Sequence, residues 1–239
     1  MNREYHRWFS PSLGREMELL VFGHAGARML VFPTSKGKFY EWEDRGMMAA
    51  LGHGLENGHL QIYCVDSVDE ESWYAWHKHP ADRAWRHVQY ENYLLYEVLP
   101  LASSKNPTPY LIVAGASFGA YHAMNFALRH PDITNRVISM SGMFNIERWL
   151  GSYRDDNVYY NCPCLYMPNE FDEGRLHQLR RLDVIMAIGR DDSNFDNNRW
   201  FSEMLFGKGV WNALRTWDGW AHDWPWWHQM IQLYVSGAN

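Results

Sequence analysis

Three cysteines, Cys64, Cys162 and Cys164, are too few and too irregularly spaced for a disulfide framework. Their odd number suits a reducing compartment. No further Cys or His pair stands at finger-like distance from the Cys-Pro-Cys at 162–164, so these read as buried thiols rather than as half of a metal site. Long apolar runs are missing: nothing could span a bilayer, and the opening MNREYHRWFSPSLG lacks the apolar stretch of a secretory signal. The expectation is a cytoplasmic protein with no membrane partner. Positive charge is scarce as well, with 22 Lys and Arg against 28 Asp and Glu, a formal net charge of -6 and the signs interspersed. Nucleic acid is not an expected partner, because its binding needs a surface that tracks phosphates. Repeats, low-complexity tracts and composition shifts are absent, so 1–239 is read as a single domain large enough to bury its own core.

Short apolar segments rich in β-branched and aromatic residues do recur, at 16–22, 28–32, 60–65, 110–114, 136–140, 183–188 and 210–217. Each reads as a strand. Helix-length stretches fall at 41–55, 81–101, 118–129, 195–206 and 225–235, the last opening on Pro225, which suits a first helical position. Strands alternating with helices imply an α/β chain, its sheet mostly parallel and covered on both faces. The first two strands are joined by a short connection holding Gly23 and Gly26, which predicts an antiparallel hairpin at the start of a mixed sheet. The rhythm breaks at 144–181, a turn-rich stretch that reads as a cap-like insertion over the C-terminal edge of the sheet.

Within this pattern AGASFGAYHA, residues 114–123, stands out, since Gly115, Ser117 and Gly119 form a G-x-S-x-G at a strand-to-helix turn. Such a turn holds its serine on a sharp bend, exposes the hydroxyl above the sheet and points the next backbone N–H, that of Phe118, at an oxyanion. A serine hydroxyl is a weak nucleophile, so it needs an imidazole to take its proton and a carboxylate to fix that imidazole's tautomer. On such a scaffold the chain order is Ser, acid, His. Asp191 and Asp192 end a later strand in AIGRDDSNF, and His222 follows the last strand in TWDGWAHDWPWW. Successive residues leaving a strand point in different directions, so only one of the two aspartates can face His222. Asp191 suits an acceptor of backbone N–H groups in the turn before the 195–206 helix, on whose first turn Asp196 suits the helix dipole.

Other histidines fit worse. His122 lies more than one helical turn beyond Ser117 and reads as packing or support, while His77 and His79 lack a third ligand at suitable spacing. A second oxyanion donor belongs on the loop after the second core strand, here PTSKG, where the Ser35 N–H is the first choice and that of Lys36 the next. Lys36 is also placed among the substrate-binding residues. Of the many tryptophans, Trp76 and Trp220 sit in loops and are expected to wall an acyl or aromatic pocket.

The blocks GASFGA, AIGRDDSNFDNNRWFSEMLFGKGV and DGWAHDWPWW resemble the esterase family of α/β-hydrolases, which holds esterase D (S-formylglutathione hydrolase), feruloyl and siderophore esterases and mycolyltransferases. That resemblance implies the α/β-hydrolase fold, with Ser117 as nucleophile, Asp192 as acid and His222 as base. It implies no metal and no organic cofactor. Where many relatives carry glycine this chain has Ala120 after the elbow and Trp220 with Ala221 before the histidine, and its PTSKG loop differs from theirs. The expected activity is hydrolysis of small-molecule carboxylic esters through an acyl-enzyme, with compact acyl groups preferred because Trp220 is bulky and the chain too short for a large lid. The alternatives are an acyltransferase or thioesterase using the same triad, and a non-catalytic hydrolase-fold binding domain.

Overall fold

Apolar residues at successive strand positions point to opposite faces of one sheet. Leu19, Val21, Leu30 and Phe32 enter one core, and Leu20, Phe22, Met29 and Val31 the other. The structure, a computed structural model, describes residues 1–236; residues 237–239, which the single-domain reading includes, lie outside the described residues. Its strands are β1 Arg3–Ser10, β2 Arg15–Phe22, β3 Ala27–Phe32, β4 Leu60–Val65, β5 Leu111–Ala116, β6 Arg136–Met140, β7 Asp183–Gly189 and β8 Asn212–Trp217. They lie in the order β1-β2-β4-β3-β5-β6-β7-β8, antiparallel through β1, β2 and β4 and parallel thereafter. The sheet is mixed and mostly parallel, as the alternating pattern predicts.

Helices cover both faces. Helix α1, Pro80–Tyr93, α2, Phe118–Arg129, and α3, Phe195–Gly207, bury Tyr90, Met124 and Phe201 against the first core. Helix α4, Trp224–Val235, closes the second with Trp227, Met230 and Ile231. The long helix expected at 81–101 runs on past α1 through a π-helical turn, Leu94–Val98, into Leu99–Lys105. Pro100 has no N–H and its ring would crowd the carbonyl four residues back, and the wider turn absorbs both effects.

Three expectations need correction. The β2–β3 hairpin does not form: β4 lies between those strands, and their connection crosses its start. Gly23 and Gly26 are there for close approach, since an added Cβ would fall 2.5 Å from the Leu60 carbonyl oxygen and 2.1 Å from the His59 carbonyl carbon. The helix expected at 41–55 is three short pieces, Glu41–Asp44, Met47–Ala50 and Gly52–Glu56, broken at Gly46 where φ is +78°. Strand β1 was not expected at all.

The 144–181 segment folds into short helical pieces, among them Glu147–Trp149, Asp156–Tyr159 and Glu173–Leu179. Trp149, Leu150, Val158 and Cys162 pack with Trp73, Phe118 and Tyr121, while Phe144, Tyr166, Met167 and Leu179 join the first core. The segment therefore touches the start of α2 at one end and is rooted in the core at the other.

Glu91 of α1 anchors the far end of α2, accepting from Arg129 Nε at 2.6 Å and Nη2 at 2.8 Å and facing His130 Nε2 at 2.6 Å. Burial alone would push its carboxyl up, but the His130 and Arg129 hydrogen bonds and the Arg129 charge outweigh burial and hold it at about 2. The folded value lies below the unfolded one of about 4.3, so this contribution is complete above that pH and is lost as pH falls toward 2. Glu91→Gln should therefore lower stability at neutral pH by about 3 kcal/mol, with the gap to wild type closing under acid conditions. Thermal midpoints measured from pH 7 to pH 2 check this, and parallel curves would contradict it.

Candidate active site

Strand β5 delivers Ser117 to the first turn of α2 with φ 54° and ψ -119°, a conformation that side chains rarely adopt. The turn must be tight. A Cβ on Gly115 would fall 2.2 Å from the Gly119 carbonyl carbon, and one on Gly119 would fall 2.4 Å from the Pro33 oxygen. Both glycines are thus demanded by backbone contacts, the second with the loop that follows β3.

His222 comes from the loop after β8. Its Nε2 stands 3.1 Å from Ser117 Oγ and its Nδ1 2.7 Å from Asp192 Oδ2, joining residues that lie 105 and 30 positions from it in the chain. The Asp192 carboxylate is fully buried and can only accept, so Nδ1 carries the proton and the Nε2 lone pair faces the serine hydroxyl. The loop's shape is held from several sides. Ala221 takes φ +42°, a value that favours glycine; Ser141 Oγ donates to the Ala221 carbonyl at 3.3 Å and accepts from Trp227 Nε1 at 3.1 Å. A Cβ on Gly189 would meet the Trp220 oxygen at 2.2 Å, so the end of β7 rests directly on the histidine loop. The Trp220 ring stacks on His222 with centroids 5.4 Å apart and is 56% exposed.

The aspartates divide differently from expectation. Asp191 is exposed and uses its backbone N–H, which donates to Gly219 O at 3.0 Å. The turn acceptor is Asp192 itself, whose Oδ1 takes the Asn194 N–H at 2.9 Å in the short-range loop that Asp side chains readily close. One carboxylate thus faces the imidazole and caps its own turn.

The PTSKG loop is pinned almost throughout. Thr34 N and Oγ1 both donate to Glu41, each at 2.7 Å; Lys36 N donates to Asp69 Oδ2 at 2.9 Å; Gly37 N donates to Thr34 O at 2.8 Å. Tyr74 Oη donates to Ser35 Oγ at 2.8 Å and Ser67 Oγ to Gly37 O at 2.8 Å. Of the two loop donors left open by the sequence, the Lys36 N–H is taken, whereas the Ser35 N–H has no acceptor among the described residues. The Phe118 N–H belongs to the first turn of α2, where backbone donors are free of helical partners.

Around this centre Tyr74, Phe118 and Trp149 form an aromatic cluster with centroid separations of 5.1, 5.1 and 5.7 Å. Trp76 is 59% exposed and meets Tyr74 edge-on at 6.2 Å, and the Lys36 ammonium lies 5.3 Å from the Tyr74 ring. His122 is buried and faces Asp69 Oδ1 at 2.9 Å. His79 Nδ1 caps α1 by accepting the Ala81 N–H. Among the described residues no three His, Cys, Asp or Glu side chains gather as a metal would require. Asp69, Glu41, Tyr74 and Ser141 were missed by sequence reasoning. A cavity of about 560 Å³ lies at the opposite, N-terminal end of the strands, beside Ala27, Leu60, Ile112 and Arg136. Ligands of open α/β sheets bind at the carboxyl ends, where Ser117 stands.

The family model described as Putative esterase matches residues 60–232. The chain belongs to this esterase family. No protein of curated function matches the sequence. Among solved structures, a ferulic acid esterase is 21% identical with a TM-score of 0.78, covering 96% of this chain and 94% of its own. An S-formylglutathione hydrolase from Agrobacterium tumefaciens is 15% identical, TM-score 0.73, covering 98% and 93%. Mycobacterium tuberculosis MPT51 (FbpC1) is 15% identical, TM-score 0.71, covering 100% and 98%. The fold is that of the α/β-hydrolases, and membership of the family makes the protein a carboxylic-ester hydrolase. No helix among the described residues is long and apolar enough to cross a membrane.

Proposed function

We propose that the protein hydrolyses small-molecule carboxylic esters with compact acyl groups through a Ser117-His222-Asp192 triad. The observation that carries this reading is the continuous hydrogen-bonded path from Ser117 Oγ through both imidazole nitrogens to the buried Asp192 carboxylate, at 3.1 and 2.7 Å. Ser117 Oγ attacks the ester carbonyl as its proton passes to His222 Nε2, and the carbonyl oxygen becomes an oxyanion received by the N–H groups of Phe118 and Ser35. Collapse breaks the bond to the leaving alcohol, which takes the proton from Nε2. Water then gives a proton to Nε2 and attacks the acyl-enzyme; breakage of the bond to Ser117 returns that proton to Oγ and frees the acid. Asp192 holds the imidazole tautomer and offsets its charge while it is protonated.

Lys36, Trp76 and Trp220 bind substrate at the rim, Trp220 beside the base and Lys36 over the Tyr74 ring. The part of the 144–181 segment that carries Trp149 caps the elbow through Phe118. Three free thiols suit action in the cytoplasm.

Labelling with a fluorophosphonate, followed by peptide mapping, should place the adduct on Ser117, and nitrophenyl esters should be turned over. Absence of both label and turnover would sink the hydrolase mechanism. Within the ester series, acetate and butyrate should give higher kcat/KM than decanoate, because Trp220 flanks the base and Trp149 crowds the elbow. A decanoate optimum would refute the compact acyl site.

A further inference from the structure

We infer that Asp69, paired with His122, is a positioning residue that sets the Ser35 N–H against the Phe118 N–H and so builds the oxyanion site. This inference rests on the hydrolase reading above. The two proposed donors belong to different elements: Phe118 opens α2, and Ser35 lies on the loop after β3. The pairing of β3 with β5 and the contact of Gly119 with the Pro33 oxygen set the two elements side by side, and the Asp69 carboxylate grips the donor loop and α2 directly. Its Oδ2 accepts the Lys36 N–H at 2.9 Å, and its Oδ1 faces His122 Nε2 at 2.9 Å, on the second turn of α2. Its own backbone is held too, the Asp69 carbonyl accepting from Ser72 N at 3.2 Å and Tyr74 N at 2.9 Å.

Two independent features argue that this is more than packing. Asp69 is 1% and His122 3% exposed, and a carboxylate so buried is tolerated only when paired and hydrogen-bonded. The carboxylate accepts, so His122 donates from Nε2. Lys36 is also held at φ +58°, a left-handed conformation for a residue with a side chain, and its own N–H is bonded to Asp69 within the turn that Gly37 N–H to Thr34 O closes. Strain of this kind persists where surrounding bonds over-determine it, and it gathers at sites whose geometry matters. The imidazole completes the link, stacking on Phe32 just before the loop at 5.8 Å and meeting Phe118 edge-on at 5.0 Å. Tyr74, joined to Ser35 Oγ and packed against Phe118, is a weaker strut on the rim.

Asparagine at 69 can accept from Lys36, but its amide then faces His122, which must move its proton to Nδ1, unpartnered among the described residues, to accept it, so a neutral bond in the other tautomer replaces the bond to the carboxylate. Alanine makes neither. The loss of one oxyanion donor lowers kcat about 10² to 10³-fold. Asp69→Ala should therefore lower kcat about 10²-fold and Asp69→Asn about 10-fold, with KM within about 3-fold of wild type. Affinity for a trifluoromethyl ketone, which binds Ser117 as an oxyanion, should fall in the same proportion as kcat. A destabilised but correctly arranged site would show neither the kcat split nor the matching loss of ketone affinity. If the alanine variant does not fold, the isosteric asparagine carries the test, and Ser67→Ala with Tyr74→Phe loosens the same loop from outside the buried pair with the same split expected at smaller size. Folded variants with wild-type kcat and ketone affinity would overturn the inference while leaving Ser117 as nucleophile. A wild-type protein that neither labels nor turns over esters would instead remove the reading on which it rests.

Discussion

Ser117→Ala is expected to lower kcat for nitrophenyl acetate by about 10⁶, leaving the thermal midpoint close to that of wild type. The expected size follows from the site's geometry, in which the Ser117 hydroxyl meets His222 and makes no other side-chain bond among the described residues. Removing it costs the proposed nucleophile and one hydrogen bond at a half-buried position. The backbone strain does not change, because alanine at φ 54° is no worse placed than serine. What remains should be a residual acceleration of about 10³ from the oxyanion donors and from binding, which need no nucleophile. Steady-state kinetics together with thermal melting by circular dichroism separate the outcomes. A variant that melts normally and keeps a tenth of the activity would mean that the acyl group is carried elsewhere.

The elbow was legible because everything that defines it is local. The strand, the glycine at 115, the serine and the helix of 118–129 are consecutive, and α2 spans the residues that the pattern assigns to it. Chain order and placement just after strands pointed to His222 and to the Asp191-Asp192 pair, the family resemblance pointed to Asp192 within it, and the structure brings Asp192, His222 and Ser117 within hydrogen-bonding distance. Long-range pairing left no such trace. Gly23 and Gly26 read as hairpin residues, and only the presence of β4 between their flanking strands gives them another purpose. Strand β1 escaped because it is an edge strand of alternating exposed and half-buried residues, whose inward Glu4 and His6 are bonded to polar groups and leave Trp8 to pack on the core. Asp69 escaped for the opposite reason. It sits in an acidic run, DSVDEE, that reads as a solvated loop, and its burial depends on His122 and Lys36, 53 and 33 residues away. The same applies to Ser141, whose partners Ala221 and Trp227 lie 80 and 86 residues on.

Asp192→Asn should lower kcat by about 10⁴ at near-normal stability, whereas Asp191→Asn should change neither. The neighbouring aspartates make a sharp comparison, since one carboxylate is fully buried on His222 and the other is exposed. In the proposed triad the Asp192 oxygen holds the imidazole proton on Nδ1 and leaves Nε2 free to take the serine's proton. An asparagine that keeps its oxygen on the Asn194 N–H must turn its amide toward the imidazole. Nδ1 then becomes the acceptor, the proton moves to Nε2, and the base faces Ser117 already protonated. The fold is spared because the side chain keeps its shape and its turn bond. Asp191 contributes through its backbone N–H to Gly219, which substitution leaves in place, so the stability loss that a turn acceptor at 191 would imply is not expected. Measuring kcat and thermal midpoint for both variants decides between the residues. Inactivity in Asp191→Asn would move the supporting carboxylate by one position, and full activity in both would place it elsewhere in the chain.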